Sequence, residues 1–229
     1  MKRTEQSPVA SQRVADVVAE RILKGQLKPG DRIKQDELAS ELNLSRIPVR
    51  DALRILETRG LVSLRANAGA RVTSLTVRDM ELSYRIRELL EPMLLAESIP
   101  HLTDADFATM REVKARLEAV NDVDAYMPLA REFHWIAFGG HQVPLLAQIV
   151  ERLWDTTHHY RRAYAVLALQ DQELRDVMRA ERDLLFGAIT RREIDLAPRI
   201  LSAHIRRTHI GLREHSELLE NGVDENGRD

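Results

Sequence analysis

The stretch NLSRIPVRDALRILETRGLV, residues 43–62, decides how the chain is read. Val49, Ala52, Leu53 and Leu56 recur at i, i+3, i+4 and i+7, a spacing that predicts an amphipathic helix. Gly60 follows the last turn, where a C′ glycine ends a helix. Yet the first turn holds two arginines and a proline. The exposed N–H groups at a helix start carry partial positive charge and favour acidic neighbours. Arg46 and Arg50 therefore fit best opposite something strongly negative. Pro48 is tolerated there, because the N–H groups of a first turn lack intrahelical partners. Ser45 can cap the helix or donate to a phosphate. Arg46, Arg50 and Arg54, at i, i+4 and i+8, make a basic stripe beside the apolar face.

The neighbouring segments give this helix its context. Val14, Val17, Val18 and Ile22 predict an earlier helix ending near Gly25. LKPGDRIK is turn chemistry followed by a short extended piece. QDELASELNL predicts a second helix with Leu38, Ala39 and Leu42 on one face, and Asn43 and Leu44 make a tight connection to the third. Beyond Gly60, residues 61–65 and 70–74 alternate like strands around an Asn-Ala-Gly turn. Helix, helix, tight turn, helix and hairpin is the order of a winged helix-turn-helix, whose third helix lies in the DNA major groove.

Behind this module the text is helical almost throughout. Six segments are expected, at 76–99, 104–120, 124–139, 143–168, 171–191 and 193–219, with cap signals such as Thr103 and Asp106. The predicted fold is mainly α. A winged helix-turn-helix over 9–75 precedes an all-helical bundle over 76–219, and the tails 1–8 and 220–229 are expected to be disordered.

Composition supports the division. Leu, Ala, Arg and Glu dominate, and aromatic residues make up only 4%, which favours helix over sheet. No cysteine is present, which excludes disulfides, thiolate metal sites and cysteine nucleophiles. No apolar run approaches the ~18 residues of a membrane span, and the N-terminus lacks the core of a signal peptide, so a cytoplasmic protein without membrane partners is expected. The net charge of −2 conceals an asymmetry: residues 1–75 carry +5 and residues 76–229 carry −7. A basic front on an acidic rear suggests a phosphate-facing module joined to one that does not touch phosphate. No Gly-rich phosphate loop, H-E-x-x-H or G-x-S-x-G is present, and nothing argues for catalysis. THHYRR, residues 157–162, reads as surface.

With these residues on the page, the chain resembles the GntR family of bacterial transcription regulators. LKPGDRIKQDELASELNLSRIPVRDALRILETRGLV is close to that family's DNA-reading segment, and the S-R-x-P-V-R-[DE]-A-L core is specific. The remainder resembles the FCD effector domain of the FadR-type branch in its shorter, six-helix, VanR-like form. The resemblance implies a homodimer on a palindromic double-stranded operator, a repressor by expectation, controlled by a small organic-acid or sugar-acid effector. It assigns base and phosphate contacts to Arg46 and Arg50, with Ile47 and Pro48 at the base edges, Ser45 and Arg54 alongside, and Asn67 and Gly69 at the wing tip. The family's wing arginine is Ala68 here, so Arg65 or Arg71 would have to substitute.

The resemblance also implies a divalent-metal site in the helical domain, and here the chain departs from it. Two ligand positions remain, His134 and His204; the other two are Ala130 and Arg182. Metal sites need three or four ligands, so no metal cofactor is expected. Arg182 can instead supply the positive charge and clamp a carboxylate, with Arg87, His134 and His204 completing a metal-free anion pocket. Against this stands an internal salt bridge, in which Arg182 pairs with a buried acid and the histidines are core residues. Two other functions also remain open: a metal-dependent helical enzyme tethered to a DNA anchor, and a ligand-blind architectural dimer.

Overall fold

A computed structural model describes residues 8–65 and 69–215. Both tails expected to be disordered fall largely outside those residues, as does Asn67; Pro8, assigned to the first tail, begins a helix.

The chain divides into two units. In the first, α1 (Pro8–Leu23), α2 (Gln35–Glu41) and α3 (Arg46–Thr58) enclose one core with β1 (Arg32–Ile33), β2 (Val62–Arg65) and β3 (Gly69–Val72). The apolar periodicity read from the sequence is what is buried: Val14, Val18 and Ile22 of α1, Leu38 and Ala39 of α2, and Val49, Ala52, Leu53 and Leu56 of α3. Removing such side chains from water contributes roughly 1.5–3 kcal/mol for each large one. The hairpin pairs Val62 with Val72 and Arg65 with Gly69, and β1 lies antiparallel on its far side, giving the order β1-β3-β2.

Two tight turns aim α3. Asn43 adopts φ 56, a left-handed conformation that asparagine tolerates better than most residues, and reverses the chain between α2 and α3. At the other end Gly60 sits at φ 78. Its N–H donates to the Glu57 carbonyl at 2.9 Å, and the Leu61 N–H donates to the Leu56 carbonyl at 3.0 Å, the pair of bonds that defines a Schellman motif.

Residues 152–159 group with this first unit. Arg59 Nε donates to Asp155 Oδ2 at 3.0 Å, His158 Nε2 lies 2.8 Å from the Leu23 carbonyl oxygen, and Gly60 packs against Thr156.

The second unit is helical: α4 (Val77–Ser98), a 3-10 turn (Ile99–His101), α5 (Asp104–Ala119), α6 (Val123–Phe138), most of α7 (Pro144–Thr156) and α8 (His158–Gln170), α9 (Gln172–Thr190) and α10 (Leu196–Glu214). Helix α10 runs along α4, α5 packs on α6, and α9 lies between α10 and α5. Its core includes Met80, Tyr84, Leu94, Leu95, Met110, Phe133, Ile189 and Leu201. Thr103 and Asp106 form the expected capping box at the start of α5.

One expectation is corrected. The fourth predicted segment, 143–168, is two helices, so the described residues hold seven helices after the wing rather than six. The break falls at Thr156 and Thr157, whose hydroxyls donate back to the Arg152 and Leu153 carbonyls at 2.8 and 2.6 Å. Such back-bonding by β-branched threonines weakens and bends a helix.

Candidate functional site

The first unit presents one face of α3. Arg46, Ile47, Arg50 and Arg54 are exposed along it, while Val49, Ala52, Leu53 and Leu56 fill the opposite side. Ser45 has the extended backbone of an N-cap, φ −76 and ψ 166, but its hydroxyl makes no capping bond. Pro48 is buried against the core, so its side chain is not at the helix surface where base-edge contact was expected. Arg46 is held by Asp36 of α2, Nε to Oδ1 2.6 Å, and Arg50 lies 3.8 Å from Asp51. All four side chains are exposed, and exposed pairs are worth only about 0–1 kcal/mol. Exchanging either pair for another anion therefore costs little.

Gly69 opens β3 at φ 79, and Arg32 lies beside it. Of the two arginines offered as replacements for the wing cation, Arg71 is committed: its Nη1 donates to the Gly30 carbonyl at 2.8 Å. Arg65 is exposed at the end of β2, and Arg32 is exposed on β1.

The second unit contains a polar interior that surrounds His134 of α6. Burial comes first in holding His134 well below its ordinary value, followed by the charges of His204, Arg87, Arg161 and Arg182. All four sequence-predicted effector residues are therefore neighbours, but each has a different commitment. Arg87 is 4% exposed and pairs with Glu91, 0% exposed, at 2.5 Å, while its guanidinium lies 4.8 Å from the Tyr84 ring centre. Breaking a buried pair of this kind costs about 3–5 kcal/mol. Arg87 is thus a fixed part of the framework. His204 Nδ1 lies 2.7 Å from Glu181 Oε2, and Arg207 clamps the same carboxylate through Nε and Nη2. Burial pushes the Glu181 carboxyl up, but the Arg207 and His204 hydrogen bonds outweigh it and hold it at about 2.

Arg182 differs. Its Nη2 donates to the Tyr126 hydroxyl at 2.8 Å, and it pairs with no carboxylate among the described residues. The expected alternative, a buried acid on Arg182, is therefore not what the structure contains. Together with Tyr126, Arg182 lines a cavity of about 170 Å³ between α5, α6, α8 and α9. His134, His204 and Arg87 are not among that cavity's walls, so the four residues do not line it as one pocket.

A divalent cation does not fit the residues present. Among the described residues no group of three or more His, Asp or Glu side chains is placed to hold one, the Glu181 carboxylate is already bonded by Arg207 and His204, and Ala130 offers no ligand. The charges around His134 are arginines, an environment that repels a cation.

Sequence reasoning missed Arg161. Its Nε is inaccessible to solvent, and burial and then the Arg87 charge lower it to about 9, still protonated at neutral pH. Thr157 and His158 are also buried, so THHYRR, 157–162, is not the surface run that the sequence suggests. The helix break at Thr157 sets the face on which these residues fall, and no sequence pattern announces it. Glu91 and Arg207 carried a visible signal: they lie at i+4 from Arg87 and i+3 from His204.

Comparisons with known proteins bear on both units. Residues 10–72 match the family model described as bacterial regulatory proteins, gntR family, and residues 81–207 match that of the FCD domain. The HTH-type transcriptional regulator YdhC of Bacillus subtilis (strain 168) is 25% identical, with 89% of each chain aligned. The HTH-type transcriptional regulator McbR of Escherichia coli (strain K12) is 30% identical over 57% of this chain and 60% of its own. The Exu regulon transcriptional regulator of Escherichia coli (strain K12) is 29% identical over 98% of this chain and 92% of its own. The solved structure of E. coli McbR/YncC superposes with a TM-score of 0.77 at 23% identity, covering 90% of this chain and 98% of that one, a likeness of fold. Among the described residues no helix is long and apolar enough to cross a membrane.

Proposed function

Because the chain belongs to the GntR family of bacterial regulatory proteins and carries an FCD domain, we propose that it is a cytoplasmic homodimeric repressor that reads a palindromic operator and is controlled by a small carboxylate. Its relatives are transcriptional regulators, which supports regulation over catalysis. In this reading Arg46 and Arg50 contact guanine edges and phosphates, Ile47 touches a base edge, and Ser45 and Arg54 hold phosphates. Pro48 acts by shaping the first turn, and Gly69 shapes the wing. Arg65 and Arg32 supply the wing cations that Ala68 cannot. The single observation that carries the DNA reading is the exposed, weakly held arginine face of α3 at an N-terminus with a free serine hydroxyl.

The effector reading rests on Arg182. A phenol hydrogen bond is worth about 1 kcal/mol and is exchanged for a charge-assisted carboxylate bond of about twice the strength. The metal that the FCD resemblance implies has no role in this account; Arg182 takes over its charge. An acid on Arg182 favours one arrangement of the helices over another, and a coupling of about 1–3 kcal/mol gives a useful switch.

The DNA half is tested by fluorescence anisotropy on an operator selected from random duplex DNA. A bidentate arginine–guanine contact contributes about 1–3 kcal/mol, so Arg50→Ala lowers operator affinity about 10- to 100-fold, with the oligomer intact by sedimentation. Arg54→Ala lowers the slope of log affinity against log salt by about 0.9. Equal binding by wild type and Arg50→Ala contradicts the assignment.

A further inference from the structure

The cavity between α5, α6, α8 and α9 is lined by more positive charge than its own acids neutralise. Helix α9 brings Arg175, Arg179 and Arg182 to it at i, i+4 and i+7, on one helix face. Their partners differ in kind. Arg179 donates to Glu118 Oε2 at 3.0 Å, an ion pair. Arg182 donates to the Tyr126 hydroxyl, which is neutral. Arg175 donates through Nη1 to Asn121 Oδ1 at 2.8 Å and through Nη2 to the Leu169 carbonyl, both neutral, and its buried Nε has no hydrogen-bond partner. Among the described residues, then, neither Arg175 nor Arg182 pairs with a carboxylate. The two acids of the wall do not make good the deficit. Glu118 is shared between Arg179 and Lys114, and Asp176 is exposed and accepts from Gln172 at 2.9 Å. Two guanidinium groups held by neutral oxygens therefore line one space from positions two helical turns apart.

We infer that this cavity takes a compact dicarboxylate, with one acid group on Arg182 and Tyr126 and the other on Arg175. The inference rests on the reading of Arg182 as the effector's anchor and names the second charge that the ligand carries. Each carboxylate gives a guanidinium a charged acceptor in place of neutral ones, with bonds about twice as strong. The Tyr126 hydroxyl accepts from Arg182, which leaves its own O–H to donate to the first carboxylate. The second carboxylate meets the one guanidinium of the three with an unused buried donor. A monocarboxylate answers one of these two charges and leaves the other as it stands. A phosphate monoester gathers its charge at one end, whereas residues at i and i+7 stand about 10 Å apart along a helix. Charge at both ends of a short chain matches that spacing better. Hydroxyl substituents meet polar wall groups such as Gln172, so hydroxy diacids fall in the same class. Size agrees: a cavity of about 150 Å³ accommodates a benzene ring, and this one, at about 170 Å³, has room for a short diacid.

The test is calorimetric titration of the full-length protein with succinate, glutarate, adipate, pentanoate and glycerol phosphate, repeated on Arg175→Gln and Arg182→Gln. The best of the three diacids is expected to bind wild type at least about tenfold more tightly than pentanoate or glycerol phosphate, one tenfold step corresponding to about 1.4 kcal/mol. Arg182→Gln is expected to lower diacid and pentanoate affinity alike, about tenfold or more. Arg175→Gln is expected to lower diacid affinity about tenfold and pentanoate affinity far less, so that the preference for two charges collapses. Pentanoate or glycerol phosphate that matches the best diacid on wild type, and is lost in Arg182→Gln, overturns the two-ended ligand while leaving the anchor in place. A diacid preference that survives in Arg175→Gln overturns Arg175 as the second seat. Diacid binding that Arg182→Gln does not change overturns the anchor itself. Failure of every acid to bind wild type overturns both. The wild-type ranking stands as a test even if a variant fails to fold.

Discussion

At the scale of single residues, what distinguishes the candidate effector site is how firmly each charge is already held. Arg87 is locked to Glu91, Glu181 is clamped by Arg207 and His204, and Arg182 rests on a phenol. The family resemblance grouped His134, His204, Arg87 and Arg182, and the charges of the other three act on His134, though the four do not line one cavity. It did not rank their availability, because that depends on partners such as Tyr126, supplied by another helix. His134 also carries a pH signature. Burial and the nearby His204, Arg87, Arg161 and Arg182 depress its folded-state value below 6.5. Above 6.5 it is neutral whether folded or unfolded, and its contribution is constant. Below 6.5 the unfolded chain takes up a proton that the folded site refuses, so stability falls with pH by at most about 1.4 kcal/mol per unit for this group. His209, lowered chiefly by burial, adds in the same direction. Glu181, held at about 2, contributes its loss only below 4.5 and does not interfere. Melting temperatures taken between about pH 7.5 and 5.5 are expected to fall for wild type, with a shallower fall for His134→Gln. Parallel profiles for the two contradict the assignment.

At the scale of elements, the legible features were those with a local cause. The periodic apolar positions of α1, α2 and α3, the glycine after α3 and the Thr103 capping box each follow from a few adjacent residues. The α7–α8 break did not, because the Thr156–Thr157 pair sits in a run that reads as continuous helix. The pairing of β1 with β3 joins residues some forty positions apart and likewise had no local signature. The close of α3 offers a sharp test. Gly60 stands at φ 78, and a Cβ there collides with Thr156 Oγ1. Gly60→Ala combines a left-handed backbone penalty of about 1–2 kcal/mol with that clash, and chemical denaturation is expected to show a loss larger than about 1 kcal/mol. Gly30, also at positive φ but with nothing within 4 Å of its added Cβ, is the control: Gly30→Ala bears the backbone penalty alone. Equal losses at the two glycines show that Thr156 imposes no constraint on Gly60.

At the scale of the whole molecule, a basic front module and an acidic helical module are written into the charge distribution, and the family models fall on the same two stretches. The first unit is not one continuous piece, however. It takes in residues 152–159, whose Asp155 and His158 bond Arg59 and the end of α1. Sequence reading could not have placed them, since they lie 96 and 135 residues from their partners. What remains central is that the arginine face of α3 enters a groove of duplex DNA. The most direct measurement is the affinity of full-length protein for a genomic duplex pool at low ionic strength, as a function of salt, for wild type and for the Arg46→Ala/Arg50→Ala/Arg54→Ala variant. The account predicts binding that weakens steeply with salt and a slope lower by about 2.7 in the variant, at about 0.9 per lost phosphate contact. Wild-type protein that ignores duplex DNA under those conditions, or a variant that binds it equally well with the same slope, contradicts the account.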